Sequence, residues 1–555
     1  MTPRPHYLPA DLFGLDSLAR NALSSRPRSA ALGGLIVPDQ ASAIPEPRSM
    51  RGPAHPSEFC DRVELAEHLA AQLETLGVHP AVQASCEKLA KPESACVVAG
   101  QQPGLVGGPL MSLHKALHAV RLAAELERTW KRPVVPIFWN HGDDHNLAEG
   151  QNLWLRNRHH DPCRLALSGL GSGRKSFASV VLDAQEHRLD AFEQSIRATL
   201  SRGREVDRPL DLFLPRAGES LERAFTRVLT RLTGHLGLIV LEASALRPIA
   251  GRALARFVTG DLNGPHERAQ ARLRQAGLEP DGETKPIAWL FGEQAGQRTA
   301  LRPGGDGFRY DGEPGSRTGV ELASEIASQP GRFSAGALLR TLVQDAILPN
   351  AATVGGFGEL RYWARTPELR AELGLGPPVF VPRVHVTLTT PIVRRALERA
   401  GVDAARLLTE PAKQPAKRTS SSSTGPAAAI RALSEQLGRS LAELRPEIAK
   451  ADRGLSARSK RTASDVAGHL ERLAARVERA TRNQGGKHDR HLRHAQSMLR
   501  PRGQPQERVL TTFQTTVELG GPDWIDQLHD WIDPFPTEHL LLDLDGDTDA
   551  PATDG

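Results

Sequence analysis

The segment FWNHGDDHNLAE, residues 138–149, gathers His141, Asp143, Asp144 and His145 in one short stretch. Carboxylates beside an imidazole can hold and pass on a proton near neutral pH, or ligate a metal ion. If the backbone there is extended, Asp143 and Asp144 point to opposite sides and only one faces a site. His159 and His160, further on, read as residues of an exposed loop. A second stretch, AGQQPGLVGGPLMSLHK (99–115), carries Gly100, Gly104, Gly107 and Gly108. Glycines let backbone approach a ligand, Pro109 suits a first helical position, and the N–H groups of a helix start attract an anion. Gln101 and Gln102 add neutral donors and acceptors, while His114 and Lys115 lie one turn inside the expected helix. The motif is neither a Walker A loop nor a dinucleotide fingerprint. The plain alternative is a tight turn with a solvated lysine.

A third stretch, FSAGALLRTLVQDAILPNAATVGGFGELRYWAR (333–365), sets Arg340, Gln344 and Asp345 near one-turn spacing. It closes on a glycine turn that ends in Glu359, with Tyr362 just beyond, and Arg383 and His385 alternate along a later strand. An arginine suits a carboxylate through two parallel hydrogen bonds. The alternative is an internal salt bridge from Arg340 to Asp345 or Glu359.

The elements around these residues indicate an α/β fold. ACVVA (95–99) and RPVVPIFW (132–139) are short buried strands, and between them Leu110, Leu113, Leu117, Val120 and Ala124 share one helix face. Strand, turn, helix and strand in that span form a βαβ unit, whose crossover favours a parallel sheet. LGLIVLEA (236–243), IAWLFG (287–292) and PVFVPRVHVTL (378–388) are further strands. Ligands of open α/β sheets bind beyond the carboxyl ends of strands, where His141 to His145 fall. After Pro391 the pattern changes to a polar loop near 411–425, followed by two leucine seams separated by Gly454. The seams predict an antiparallel coiled-coil hairpin or a dimer contact, with Pro446 kinking or interrupting the first arm.

The expected organisation is a mixed segment over 1–94, then a Rossmann-like core over 95–390 with insertions at about 165–235 and 255–335. A helical coiled-coil domain over 391–500, a returning segment over 501–540 and a disordered acidic tail over 541–555 complete it. The tail lacks the glycine and glutamate positions of an EF-hand.

With 555 residues, 39% of them hydrophobic, and a net charge of +5, the chain reads as a soluble protein of several domain-sized units. Residues 441–500 hold fourteen Lys and Arg against seven Asp and Glu, a block that suits either a solvated helix surface or RNA. The cysteines Cys60, Cys86, Cys96 and Cys163 form no close pair, as expected in a reducing cytoplasm. There is no signal-like or membrane-spanning run.

VVAGQQPGLVGGPL with Lys115, PIFWNHGDDH, LVQDAILP, VGGFGELRYW, VPRVHVTL and LRPRGQPQERVL occur in that order. Together they resemble the bacillithiol-biosynthesis cysteine-adding enzymes, or cysteine ligases. Here Asn146 stands where that family usually has an acid, Phe357 where it has proline, and Arg361 where it has a small or apolar residue. The resemblance implies a Rossmann-like core similar to class I aminoacyl-tRNA synthetases, connecting insertions, and a coiled-coil domain associated with homodimers. It also implies a ligase that forms an amide between the carboxyl of cysteine and the amine of glucosaminyl-malate.

Such a condensation needs a carboxyl activated as an adenylate or acyl phosphate, so ATP (or ADP) is the expected cofactor; no metal ligand set is assigned. On this reading Gly100 to Gly108 bind phosphate or carboxylate and Lys115 offsets negative charge. Asp144 and His145 orient and deprotonate the amine, Asp143 stands with them among the catalytic residues, and Arg340 or Arg383 holds a malate-like carboxylate. Two other readings stay open: a synthetase-like RNA-associated protein, and a non-catalytic coiled-coil dimer with a degenerate nucleotide pocket.

Overall fold

The computed structural model describes residues 4–46, 59–159, 161–170, 173–200, 205–278, 287–304, 307–409, 426–484 and 487–544. His160, the polar loop from 411 to 425 and the chain beyond 544 lie outside the described residues.

Five strands form a wholly parallel sheet: β1 (Ala95–Gln101), β2 (Val134–Asn140), β3 (Ile239–Glu242), β4 (Asn350–Gly355) and β5 (Phe380–Pro382). Their spatial order is β5-β4-β1-β2-β3. The strands are apolar on both faces, as a sheet covered by helices on each side requires. Val97, Ala99 and Phe138 join one hydrophobic cluster, whereas Cys96, Val98, Ile137 and Trp139 join another. That alternation is the two-residue period of a strand, and each large apolar side chain so buried contributes about 1.5–3 kcal/mol.

The crossover from β1 to β2 is α1 (Leu110–Trp130). Its helix face buries Leu113, Leu117 and Val120 in the first cluster, as the spacing predicts. Pro109 takes the N-cap position, one residue earlier than expected. Further along come α2 (Leu221–Thr233), α3 (Arg247–Phe257), α4 (Ala337–Ile347) and α5 (Phe357–Trp363).

The segment IAWLFG does not enter this sheet. Leu290–Gln294 belongs to a four-stranded antiparallel sheet with Gln297–Gly304, Gly307–Tyr310 and Phe333–Ala335. The segment PVFVPRVHVTL is two strands, since Arg383 and Val384 turn the chain from β5 into His385–Thr389. His385–Thr389 pairs in parallel with Glu538–Asp543, which pairs antiparallel with Arg4–Pro9. The boundary expected at 541 does not hold: Leu541 and Leu542 are buried strand residues, apolar enough to join a sheet.

The chain divides into two compact units, 1–392 with 498–555, and 393–497. The second contains the helices Pro426–Ala451 and Arg453–Gln484, joined through Asp452 and crosslinked by Arg431 and Glu471 at 3.1 Å. They are an antiparallel hairpin, and the first arm runs through Pro446 rather than ending there. Among the described residues no helix is long and apolar enough to cross a membrane.

Candidate functional site

All five core strands deliver residues to one crevice of about 460 Å³ at their carboxyl ends. Gln101 ends β1 and Gln102 follows it, His141, Asp143, Asp144 and His145 follow β2, Ala243 follows β3, Gly356, Gly358 and Glu359 follow β4 and Arg383 follows β5. Arg247 from α3 and Arg340 from α4 add to the wall, as do Phe291 and Arg298 from the antiparallel sheet, and Arg508.

The two glutamines tie neighbouring loops together. Gln101 Oε1 accepts a hydrogen bond from Lys115 Nζ at 2.8 Å, and Gln102 Nε2 donates to Asp144 Oδ2. Lys115 is 2% exposed, and its ammonium also donates to Gly100 O at 2.8 Å and Glu359 Oε2 at 2.5 Å. An ammonium has three N–H groups, so this one is fully used and has none left for a ligand. Burial, offset by Glu359, lowers its pKa. The expected charge-offsetting role is thereby replaced by a structural one: Lys115 clamps the ends of β1 and α5. Glu359 Oε2 also accepts from the Gly356 N–H at 2.8 Å, which satisfies the start of α5.

Asp143 and Asp144 both line the crevice, so the expectation that only one faces it does not hold. The reason is a tight turn, not extended backbone: Asp144 N donates to His141 O at 3.1 Å. The two differ in partners instead. Asp143 Oδ1 accepts from Arg247 Nε and Nη2 at 2.9 and 2.6 Å. Asp144 has no Lys or Arg at ion-pair distance among the described residues, and its Oδ1 accepts from the His145 N–H at 2.6 Å.

His145 Nδ1 lies 2.9 Å from Arg298 Nη1. A guanidinium only donates, so Nδ1 accepts and the neutral ring carries its proton on Nε2. Burial, then the Arg298 charge, lowers its pKa and keeps the ring neutral at pH 7. That arrangement makes His145 a hydrogen-bond donor rather than the proton acceptor anticipated from the sequence. Burial also holds His141 neutral, aided by Arg340 and Lys115. Its Nε2 is packed against the Cα of Gly100, where a Cβ would come within 2.5 Å.

Arg383, 2% exposed, is committed elsewhere. Its Nη2 and Nη1 donate to Glu507 Oε1 and Oε2 at 2.6 and 2.9 Å. Glu507 also meets His114 Nδ1 at 2.9 Å, His385 Nδ1 at 3.0 Å and the Val386 N–H at 3.1 Å. His114 is fully buried in this cluster and does not line the crevice, and neither does His385. The internal salt bridge considered for Arg340 is absent among the described residues, because Asp345 pairs with Arg370 at 2.7 Å and Glu359 with Lys115. Arg340 Nη1 donates only to Gln344 Oε1 at 3.1 Å, and Gln344 is buried beneath it. Tyr362 lines the wall, with its phenol pushed up by burial.

The glycine turn divides. Gly107 and Gly108 have φ of +78° and +68°, which favour glycine, and a Cβ on either would press within 3.0 and 3.2 Å of the rings of Phe213 and Phe225. Those two glycines serve packing against aromatic rings rather than a ligand in the crevice. Gly104 and Gly108 border an adjoining chamber of about 410 Å³, which shares Gln101, Gln102, Met111 and Arg508 with the crevice. Among the described residues no three His, Cys, Asp or Glu side chains gather as a metal site.

Sequence reasoning missed Arg247, Arg298, Arg508 and Glu507. The last two lie in the stretch LRPRGQPQERVL, quoted above without a role. Arg298 lies in an insertion with no motif around it.

Residues 48–384 match the family model described as "Bacillithiol biosynthesis BshC, N-terminal Rossmann-like domain". Residues 386–544 match "Bacillithiol biosynthesis BshC, C-terminal coiled-coil domain". A "Putative cysteine ligase BshC" of Geobacillus thermodenitrificans is 29% identical over 497 residues, covering 87% of this chain and 90% of its own. Its namesake in Geobacillus kaustophilus is 30% identical over 485 residues, 84% and 88% of the two chains. Among solved structures, a chain titled "putative arginyl t-RNA synthetase" from Campylobacter jejuni overlaps 76% of this chain and 92% of its own, at 12% identity and a TM-score of 0.22.

Proposed function

The chain belongs to the bacillithiol biosynthesis BshC family, and from that premise we propose that it is a ligase joining the carboxyl of cysteine to the amine of an amino-sugar malate acceptor. The observation that carries the acceptor assignment is an excess of unpaired cations. Arg298, Arg340 and Arg508 face the crevice with no carboxylate at ion-pair distance among the described residues. Asp143 and Glu359 are already matched by Arg247 and Lys115, and Arg383 by Glu507 outside the wall. Among the described residues the crevice therefore presents three guanidinium groups without a carboxylate partner, of which Arg298 already donates to His145, Ser334 and Ala335, and one carboxylate without a cation, Asp144. A malate moiety brings two carboxylates for the former, and an amino sugar brings an ammonium group for the latter.

An amine attacks only after losing a proton, and Asp144 is the carboxylate free to take it. Gln102 Nε2 and the His145 N–H orient that carboxylate. His145 presents Nε2–H to the acyl oxygen, where negative charge develops as the amide forms. Arg340, which does not share its charge with a carboxylate, replaces Arg383 as the anchor of a substrate carboxylate. ATP, when bound, would supply activation of the cysteine carboxyl, and the phosphate-containing group it adds would be the group that leaves as the C–N bond forms. The residues of the adjoining chamber fit its anionic groups, with Arg164, Arg502 and Arg508 on the walls beside Gly104 and Gly108. The coiled-coil hairpin is the proposed contact of a homodimer.

The test is to incubate the purified chain with ATP, cysteine and glucosaminyl-malate and to follow amide product by mass spectrometry alongside nucleotide consumption. We expect one amide formed per nucleotide spent. No product, and no nucleotide consumption with any amino acid, overturns the reading.

A further inference from the structure

Glu222, on α2, is a carboxyl that the scheme above leaves unused. It is 1% exposed and lies outside the crevice wall. Among the described residues its carboxyl meets Ser244 alone: Oε2 bonds Ser244 Oγ, and the Ser244 N–H donates to Oε1 at 3.3 Å. Ser244 follows Ala243, a crevice residue at the end of β3. The carboxyl is packed on the Cα of Gly142, between His141 and Asp143. A Cβ at Gly142 would lie 2.0 Å from Glu222 Cδ, so any side chain there would displace the carboxyl. A second tie joins α2 to the end of β2, where Asn140 Nδ2 donates to Glu222 O at 2.9 Å.

The charged groups around Glu222 are Glu242 on β3, Asp143 on the turn, Arg247 on α3 and Arg223 on α2. The two arginines are matched already, Arg223 with Glu242 at 3.1 Å and Arg247 with Asp143 at 2.6 Å. Glu222 thus faces two carboxylates with no cation of its own. Burial first, then Glu242 and Asp143, push its carboxyl up to about 8.

We propose that Glu222 is a positioning residue of the crevice: as a neutral acid it holds the His141–Asp144 turn against α2 and the end of β3, and loss of its proton releases that turn. The sign follows from linkage. A carboxyl raised above its unfolded value stabilises the fold fully below that unfolded value, and the contribution is lost as pH rises through about 8. Opening of the turn therefore grows about tenfold for each pH unit between the exposed-glutamate value, about 4.3, and about 8, and levels off above it, where the carboxyl is ionised in both states. The residue acts through Gly142 and Ser244 and touches no substrate. The proposal stands on packing and does not depend on the ligase reading.

Hydrogen exchange on the full chain tests it without any assay of activity. Peptides containing residues 141–145 are followed over about pH 6.5 to 9.5 and corrected for intrinsic exchange, in the wild type and in Glu222→Gln, which imitates the neutral acid. The expected result is protection that declines from about pH 6.5 to about 8 and levels off above it in the wild type, and that stays level throughout in the variant. The same pH slope in both proteins, or a level wild type, overturns the proposal. So does protection lowered at every pH with an unchanged slope, which marks a packing role only. Infrared spectroscopy of the wild type covers the case in which the variant does not fold. The carbonyl stretch of a neutral buried acid must be present at pH 7 and vanish above about pH 9, and its absence at pH 7 equally overturns the assignment.

Discussion

Arg298 Nη1 lies 2.9 Å from His145 Nδ1, and the same guanidinium packs 3.6 Å over the Phe291 ring. The contact fixes which imidazole nitrogen carries the proton. It also joins the antiparallel sheet, which holds Arg298, to the loop that follows β2 of the parallel one. Arg298→Gln removes a like charge from beside His145, so the His145 pKa should rise. Long-range proton–nitrogen spectra, with the His145 signals assigned by their loss in His145→Gln, should show the Nε2–H form in the wild type and a mixture of tautomers in Arg298→Gln. Turnover should fall about 10²-fold, as when one preorganised donor to a developing oxyanion is misaligned.

The Lys115–Glu359 pair makes a different prediction, about stability. Lys115→Met leaves the Glu359 carboxylate, 17% exposed, without its cation and empties two hydrogen bonds at the end of β1 as well as the one to Glu359 on α5. Breaking a buried pair from one side costs about 3–5 kcal/mol. Urea unfolding should register that loss. Lys115→Met with Glu359→Gln should recover part of it, because no carboxylate then remains unpaired.

Glu507 should govern acid stability. Arg383, His114 and His385 outweigh the penalty of burial and hold its carboxyl well below the ordinary glutamate range. A depressed carboxyl contributes stability above its unfolded value, about 4.3, and loses it as pH falls toward the folded value. His114 and His385, held neutral mainly by burial, act in the same direction: the unfolded chain takes up protons below about 6.5 that the folded one refuses. Urea midpoints should therefore decline steadily from about pH 6.5 downward. Glu507→Gln should start lower at neutral pH by about 3–5 kcal/mol and fall less steeply through the carboxylate range.

The βαβ unit from β1 to β2 is legible because its strands are unbroken apolar runs and its helix keeps one apolar face. β4 is not, although it lies beside β1 near the middle of the sheet. NAATVG is poor in strand-forming residues, and small side chains suit a strand only once tertiary burial is supplied. The site divides in the same way. Residues that follow strand ends announce themselves, since their motifs adjoin apolar runs. Arg298 and Arg508 reach the crevice through an insertion and a distant return of the chain, and local pattern has no means of expressing that. His114 and Arg383 look free in sequence because the carboxylate that engages both, Glu507, is 393 and 124 positions away.

Arg340 and Arg508 carry the last prediction, on affinity. Each faces the crevice without a carboxylate partner among the described residues, whereas Arg383 is held by Glu507 at 2.6 Å. If the acceptor's carboxylates are bound there, Arg340→Ala and Arg508→Ala should each weaken glucosaminyl-malate binding. Removing one charge-assisted contact of about 1.5–3 kcal/mol corresponds to a loss of about 10- to 150-fold. Titration calorimetry at low and high salt measures it, and the wild-type affinity should fall with ionic strength more than that of either variant. Stability in urea should change little in both, since neither guanidinium is part of a buried ion pair. Unchanged affinity in both variants would return the carboxylate site to some other part of the crevice.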